Sequence, residues 1–126
     1  MSKEIIAASG VPAPIGPYSA AIRSGNMLFL SGQLGLDSVT GELVSASVVM
    51  QAQQVMANIR LLLRAAGADM DAIVKTTIYL TDINNFPAVN EVYASFFTGS
   101  YPARTTVEVS RLPKGALVEI EAIASL

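Results

Sequence analysis

The groups best able to do chemistry lie close together near the end of the chain: Arg104, Thr106, Glu108, Glu119 and Glu121. An arginine can fork two parallel N–H bonds onto a carboxylate. A glutamate can hold a water and pass a proton. The residues around them alternate as strands do, with Ala103, Thr105, Val107 and Val109 opposite Arg104, Thr106 and Glu108, and with Val118, Ile120, Ala122 and Ala124 opposite Leu117, Glu119, Glu121 and Ile123. If helices cover the small apolar set of both strands, the charged set of both is left on the uncovered face. With a tight turn at Leu112-Pro113-Lys114-Gly115, Arg104 and Glu119 then stand two to four positions apart along the ladder, roughly 7–13 Å between Cα atoms. A small carboxylate-bearing molecule would fit between their tips. The same residues also read as a solvated or interface-lining salt-bridge set, and the pattern leaves both readings open.

Other candidates carry the same double reading. Tyr18 follows the Ile15-Gly16-Pro17 turn and could anchor a loop or line a site. Ser31-Gly32 inside a strand marks a bulge, a close backbone approach or a ligand contact. Asn90 is a solvated helix residue or part of a site wall, and Lys75 reads as a solvent-facing lysine within a strand. The Gly32-x-x-Gly35 spacing is no phosphate loop, because no helix follows it directly. The chain has no histidine, cysteine or tryptophan. That excludes disulfides, thiolate nucleophiles, Cys-based zinc sites and every Ser-His or Cys-His pairing, leaving carboxylates, arginine, hydroxyls and backbone.

The elements that must position these groups are legible as an alternation of strands and helices. Gly25-Asn26 is a tight-turn signal between strands at 19–24 and 27–34, after an irregular Gly- and Pro-rich loop at 8–18. Residues 37–42 form a further turn. Over residues 47–66, Val48, Ala52, Val55, Ile59, Leu62 and Ala66 make one apolar stripe, with Gln54, Asn58, Arg60 and Arg64 on other faces and Gly67 as a left-handed cap. Residues 74–81 read as a β-branched strand. A second helix spans about Phe86 to Phe97, with Asn85 as N-cap, Pro87 in the first turn, a buried face of Val89, Val92, Tyr93, Phe96 and Phe97, and Gly99 ending it. Strands near 103–110 and 116–124 complete an α+β chain of one domain over residues 1–126, its two helices on one face of a mixed sheet.

Charged residues make up only 14% of the 126, hydrophobic ones 52%, and mean hydropathy is +0.48. A lone small domain of that composition would expose much apolar surface, so a homo-oligomer is expected. No apolar run is long enough to span a membrane. The N-terminus has no secretory pattern, which makes a cytoplasmic location the expectation. A net charge of −2, a pI near 4.9 and scattered basic residues argue against nucleic acid as a partner.

Five segments carry a family resemblance: Ile15-Gly16-Pro17-Tyr18-Ser19, Leu30-Ser31-Gly32-Gln33, Asn90-Glu91-Val92-Tyr93, residues 101–109 (YPARTTVEV), and Leu112-Pro113-Lys114-Gly115 followed by residues 118–122 (VEIEA). Together they resemble the Rid/YjgF family, the RidA-type reactive-intermediate deaminases, from about residue 3 to 125. The resemblance implies a chorismate-mutase-like α+β fold and a homotrimer with clefts at the subunit interfaces. It implies a 2-iminobutanoate/2-iminopropanoate deaminase, a hydrolase acting on C=N that converts imines derived from 2-aminoacrylate and 2-aminocrotonate to 2-keto acids and ammonia. Pyridoxal-phosphate dehydratases would release these substrates, and the deaminase itself would use no cofactor and no metal. By position, the catalytic residues would be Arg104, which binds the substrate carboxylate, Glu119, which places the attacking water, and Tyr18, which lines the cleft. Ser31, Gly32, Asn90 and Thr106 would bind substrate as other parts of the wall. Thr106 stands where several relatives carry cysteine, so any thiol-dependent sensitivity should be missing. Two other functions compete: a non-catalytic trimer that binds 2-keto acids or related metabolites, and an endoribonuclease.

Overall fold

A computed structural model of the chain describes residues 2–126. In chain order the elements are β1 (Glu4–Ile6), β2 (Ala21–Ser24), β3 (Met27–Leu34), α1 (Val48–Ala65), β4 (Ile73–Leu80), α2 (Phe86–Ser95), β5 (Ala103–Glu108) and β6 (Val118–Ser125), with single 3₁₀ turns before β4, α2 and β6. The strands form one six-stranded sheet in the order β1-β2-β3-β6-β4-β5. Among the described residues, only the β4–β5 pair is parallel.

α1 starts at Ser47, whose hydroxyl accepts from the Met50 amide, and stops before Gly67, which takes φ +82°. Its stripe packs on β3 and β6, where Val55, Ile59, Leu62 and Leu63 meet Leu28, Ile120, Val118 and Ala124 with no exposure to solvent. The buried face is wider than the apolar stripe alone, because Asn58 and Gln51 are also inside. Asn58 Nδ2 donates to the Leu34 and Leu36 carbonyls and its Oδ1 accepts from Gln54. Gln51 donates to the Ser45 carbonyl and accepts from the Leu117 amide. These amides bond backbone groups at the end of β3 and in the irregular segments beside it.

Three sequence expectations need correction here. The N-terminal strand β1 was not foreseen; its three residues carry too little pattern to read. Asn85 makes no capping bond, since a 3₁₀ turn at Ile83–Asn85 leads into α2 and Asp82 caps that turn instead. Most consequential, β5 and β6 are not a hairpin. β4 lies between them, and β5 runs parallel to it as an edge strand.

That topology separates the charged set. Thr76, Ile78 and Leu80 of β4 face the helices, and they pair with Arg104, Thr106 and Glu108 on one side and with Ala122, Ile120 and Val118 on the other. Paired residues share a face. Arg104, Thr106 and Glu108 therefore lie on the helix side, whereas Glu119 and Glu121 pair with Tyr79 and Thr77 on the opposite side. The small residues of β5 mislead because this strand lies beyond the main core. Its helix-side residues Arg104 and Glu108 meet the Phe86, Asn90 and Tyr93 side of α2 and the Ile83 amide before it, and both stay exposed, so polarity no longer reports which side is inside. The helix-free face also carries Ile5, Phe29 and Val107, all exposed.

Candidate active site

The site residues assemble as two groups. In the first, Phe86, Asn90 and Tyr93 stand at i, i+4 and i+7 on α2 and so form one stripe, facing β5. Arg104 reaches across to it. Its Nη1 donates to Asn90 Oδ1 at 2.6 Å, and its guanidinium carbon lies 5.1 Å from the centroids of both the Phe86 and Tyr93 rings. The Tyr93 hydroxyl shares a 2.7 Å hydrogen bond with buried Thr76 Oγ1. Burial pushes the Tyr93 phenol above its ordinary value, opposed by the Thr76 bond and the Arg104 charge. A cavity of about 420 Å³ opens here, lined by Asn90, Tyr93, Ala94, Tyr101, Pro102 and Arg104. No carboxylate pairs with Arg104; among the described residues the ion pairs are those of Asp69 with Arg60 and Arg64.

The second group surrounds Glu119. Ser31 and Gly32 sit where the β3–β6 register shifts, between Leu30 and Gln33. The Ser31 amide donates to the Ala20 carbonyl and its hydroxyl to the Ser19 carbonyl, which ties the two residues between the irregular 8–18 loop and β2 to β3. A Cβ at Gly32 would displace the Glu119 carboxylate, the far end of a flexible side chain, so glycine is what lets that carboxylate rest on the strand here. Glu119 thus lies over bare backbone, in a cavity of about 570 Å³ walled by Pro12, Pro14, Tyr18, Ser31, Leu34 and Lys114 among others. Burial, and then the neighbouring Glu121 charge, raise its carboxyl above the ordinary glutamate value. Glu121 in turn accepts a 2.8 Å hydrogen bond from Tyr79, and that bond is the main reason the Tyr79 phenol is pushed up.

The structure therefore brings Tyr18, Ser31, Gly32 and Glu119 together, and separately Asn90 and Arg104. It does not bring the two groups together within one chain. Arg104 is in register with Thr76 and Glu119 with Tyr79, so two strand spacings and three residues separate them, roughly 14 Å between Cα atoms and on opposite faces. The expected 7–13 Å on a shared face is overturned, because that figure assumed the hairpin. Thr106 lies on the Arg104 side, with its hydroxyl buried and unpartnered among the described residues. Lys75 lies in the open, in contact with Thr105 across the ladder.

Comparison with known proteins decides the family. The family model described as Endoribonuclease L-PSP matches residues 9–126. The 2-iminobutanoate/2-iminopropanoate deaminase of Capra hircus is 49% identical over 122 residues, 97% of this chain and 89% of that protein. The chain belongs to the Rid/YjgF/L-PSP family. Among solved structures, the Rid-family protein YyfA of Yersinia pestis superposes with a TM-score of 0.96 at 50% identity, covering 99% of this chain and all of that one. Escherichia coli TdcF, solved with bound serine, gives a TM-score of 0.94 at 41% identity over 98% of each chain. The six-stranded mixed sheet with two helices is thus the Rid/YjgF fold. Among the described residues of this Rid-family chain, no helix is long and apolar enough to cross a membrane.

Two site features escaped the sequence reading. Phe86 appeared only as the start of a helix, although its i, i+4, i+7 spacing with Asn90 and Tyr93 was available as a signal. Lys114 appeared only as a turn residue. It takes φ +60°, donates to the Gly41 carbonyl at 2.7 Å and forms part of the Glu119 cavity wall.

Proposed function

We propose that this chain hydrolyses small 2-imino acids to 2-keto acids and ammonia, with Arg104 holding the substrate carboxylate and Glu119 moving protons. The observation that carries the reading is the state of Arg104: a fixed guanidinium at the mouth of a cavity, held by an amide oxygen and two rings and neutralised by no acid. Such a cation is free to fork onto a carboxylate. Glu119, raised by burial, is a better proton acceptor near neutral pH than an ordinary surface glutamate.

The chemistry runs with the chain's own groups and water. Water attacks the carbon of the protonated imine while Glu119 takes a proton from it, forming a carbinolamine. The protonated Glu119 then gives that proton to the nitrogen. The C–N bond breaks as the hydroxyl oxygen closes to a carbonyl, and the hydroxyl proton leaves with ammonia as ammonium. Arg104 keeps the carboxylate paired and the carbon oriented throughout. Tyr18, Ser31, Gly32, Asn90 and Thr106 are assigned to the walls. Because Arg104 and Glu119 of one chain stand back to back, a complete site takes Arg104 from one subunit and Glu119 from another. The exposed apolar residues of the helix-free face support the homotrimer in which this would happen. Dehydratases that release enamines from hydroxy-amino acids would supply the substrates.

The name of the matching family model raises a second reading, RNA cleavage. The acidic pI, the absence of histidine and the scattered basic residues count against it. RNA cleavage that persisted in pure Arg104→Ala protein would mark a contaminant, and cleavage lost in that variant would favour the nuclease. The deaminase reading is tested by generating 2-iminobutanoate in place with a threonine dehydratase under competing semicarbazide. Keto-acid formation accelerated by wild type and lost in Arg104→Ala supports it. A folded wild type that binds 2-oxobutanoate but accelerates nothing would make the protein a metabolite-binding module.

A further inference from the structure

We propose that Phe86 and Tyr93 are positioning residues for Arg104, forming an aromatic vice that holds the cation in place, unpaired with any carboxylate, for its anionic ligand. The inference rests on the deaminase reading only in taking that ligand to be the substrate carboxylate. The geometry is specific. Both ring centroids lie 5.1 Å from the guanidinium carbon, and the stripe that carries the rings also carries Asn90, which holds Nη1 at 2.6 Å. An exposed arginine side chain with this much freedom at the end of an edge strand would ordinarily sample many rotamers. Something must select one of them, and the usual device is a carboxylate partner.

A carboxylate would defeat the purpose here, because it would occupy the same fork that the ligand needs. Ring faces attract a guanidinium through their quadrupole and leave its N–H groups unspent. The vice is itself braced. Tyr93 is 3% exposed, its hydroxyl is tied to buried Thr76, and its ring packs against Phe97 at 4.9 Å between centroids. Phe86 is set by the first turn of α2, which Pro87 stiffens and which the 3₁₀ turn at Ile83–Asn85 delivers. Glu108, on the same side of β5, takes the Ile83 amide instead of approaching Arg104. The acid nearest in sequence and face is thereby employed elsewhere.

The test uses the full-length protein with 2-oxobutanoate as the binding probe and 2-iminobutanoate turnover alongside. Phe86→Leu keeps an apolar side chain but removes the ring face; it should weaken 2-oxobutanoate binding and raise KM by about three- to tenfold while kcat at saturation stays within about twofold. Phe86→Tyr, which restores a ring, should return both to wild-type values. Replacing Phe86 by phenylalanines with one, three and five ring fluorines drains the ring quadrupole at nearly constant shape. Affinity should fall stepwise along that series, a trend that a purely structural role cannot produce, and it keeps the idea testable if Phe86→Leu fails to fold. Binding unchanged across the fluorinated series, or Phe86→Leu indistinguishable from wild type, would overturn the vice. If wild type binds but does not turn over, the deaminase reading fails while the affinity series still tests the vice. If wild type neither binds nor turns over, the deaminase reading and the assignment of a carboxylate ligand to Arg104 both fall.

Discussion

The Arg104 and Glu119 regions solve the same electrostatic problem in opposite ways. Arg104 lies on an edge strand, exposed, and is fixed from the sides by two rings and an amide oxygen. Glu119 lies on a central strand beneath an irregular loop, half-buried, with its carboxylate over the backbone of Gly32 and with Glu121 for a neighbour. Among the described residues no carboxylate pairs with the cation, so its fork stays open. The acid is pressed toward its protonated form because nothing basic pairs with it and little water does. Each group is chemically available only while it lacks an opposite partner. Their placement on opposite faces of one sheet keeps a chain from pairing the two with each other, so a site that used both would need a second copy.

The sharpest way to break this comparison is by complementation. Arg104→Ala and Glu119→Ala should each lower kcat/KM about 100-fold or more. If the proposed trimer builds each site from two subunits, equal mixing of the two variants after dissociation should restore about one quarter of wild-type activity, since three-quarters of the trimers are mixed and each of those has one intact site in three. No recovery in verified mixed trimers would mean that both residues act from the same subunit.

Gly32 and Gly35 should separate function from stability. Alanine at Gly32 meets only the movable end of Glu119, so turnover should fall about tenfold with a stability loss under about 1 kcal/mol. Alanine at Gly35 would come within 2.7 Å of the Gln51 carbonyl oxygen, which is backbone of α1, and should cost about 1–3 kcal/mol in denaturant unfolding. Equal effects of the two substitutions on both readouts would erase the distinction.

Asn90→Asp would put a carboxylate where the neutral amide now holds Arg104. KM for the imino acid should rise about tenfold, with the protein at least as stable as wild type. An unchanged KM would mean that the neutrality of this contact is irrelevant.

The smallest effects concern pH. Glu119 has a folded-state pKa above its unfolded value, so its ionised form opposes folding at neutral pH and that penalty disappears as pH falls through the folded and then the unfolded value. Glu119→Gln should therefore melt above wild type at pH 7 and lose that advantage near the ordinary glutamate pKa. Glu121→Gln removes the lesser of the two causes and should move the acid limb of kcat/KM to slightly lower pH. A limb that does not move would leave burial as the only cause.

Much of the fold was legible in the sequence because local rules produce it. The α1 stripe, the Gly67 stop, the Gly25-Asn26 turn and the strand alternation all follow from the 3.6 and 2 periodicities and from backbone sterics. The residues around Ser31-Gly32 were also legible as a bulge with a close approach, and both features are present. Asn58 was not legible as a buried residue, because its partners are carbonyls more than twenty positions away.

The candidate residues themselves were named by the sequence, since arginine, glutamate and the surrounding motifs are properties of composition and order. What only the tertiary structure decided is which of them can meet. Alternation assigns each residue to one of two faces of its own strand, but it cannot say which face of β5 corresponds to which face of β6. That correspondence passes through β4, a strand thirty residues earlier than β5, and one intervening parallel strand was enough to turn Arg104 away from Glu119. Strand order is fixed by long-range burial and hydrogen bonding, which no local pattern encodes.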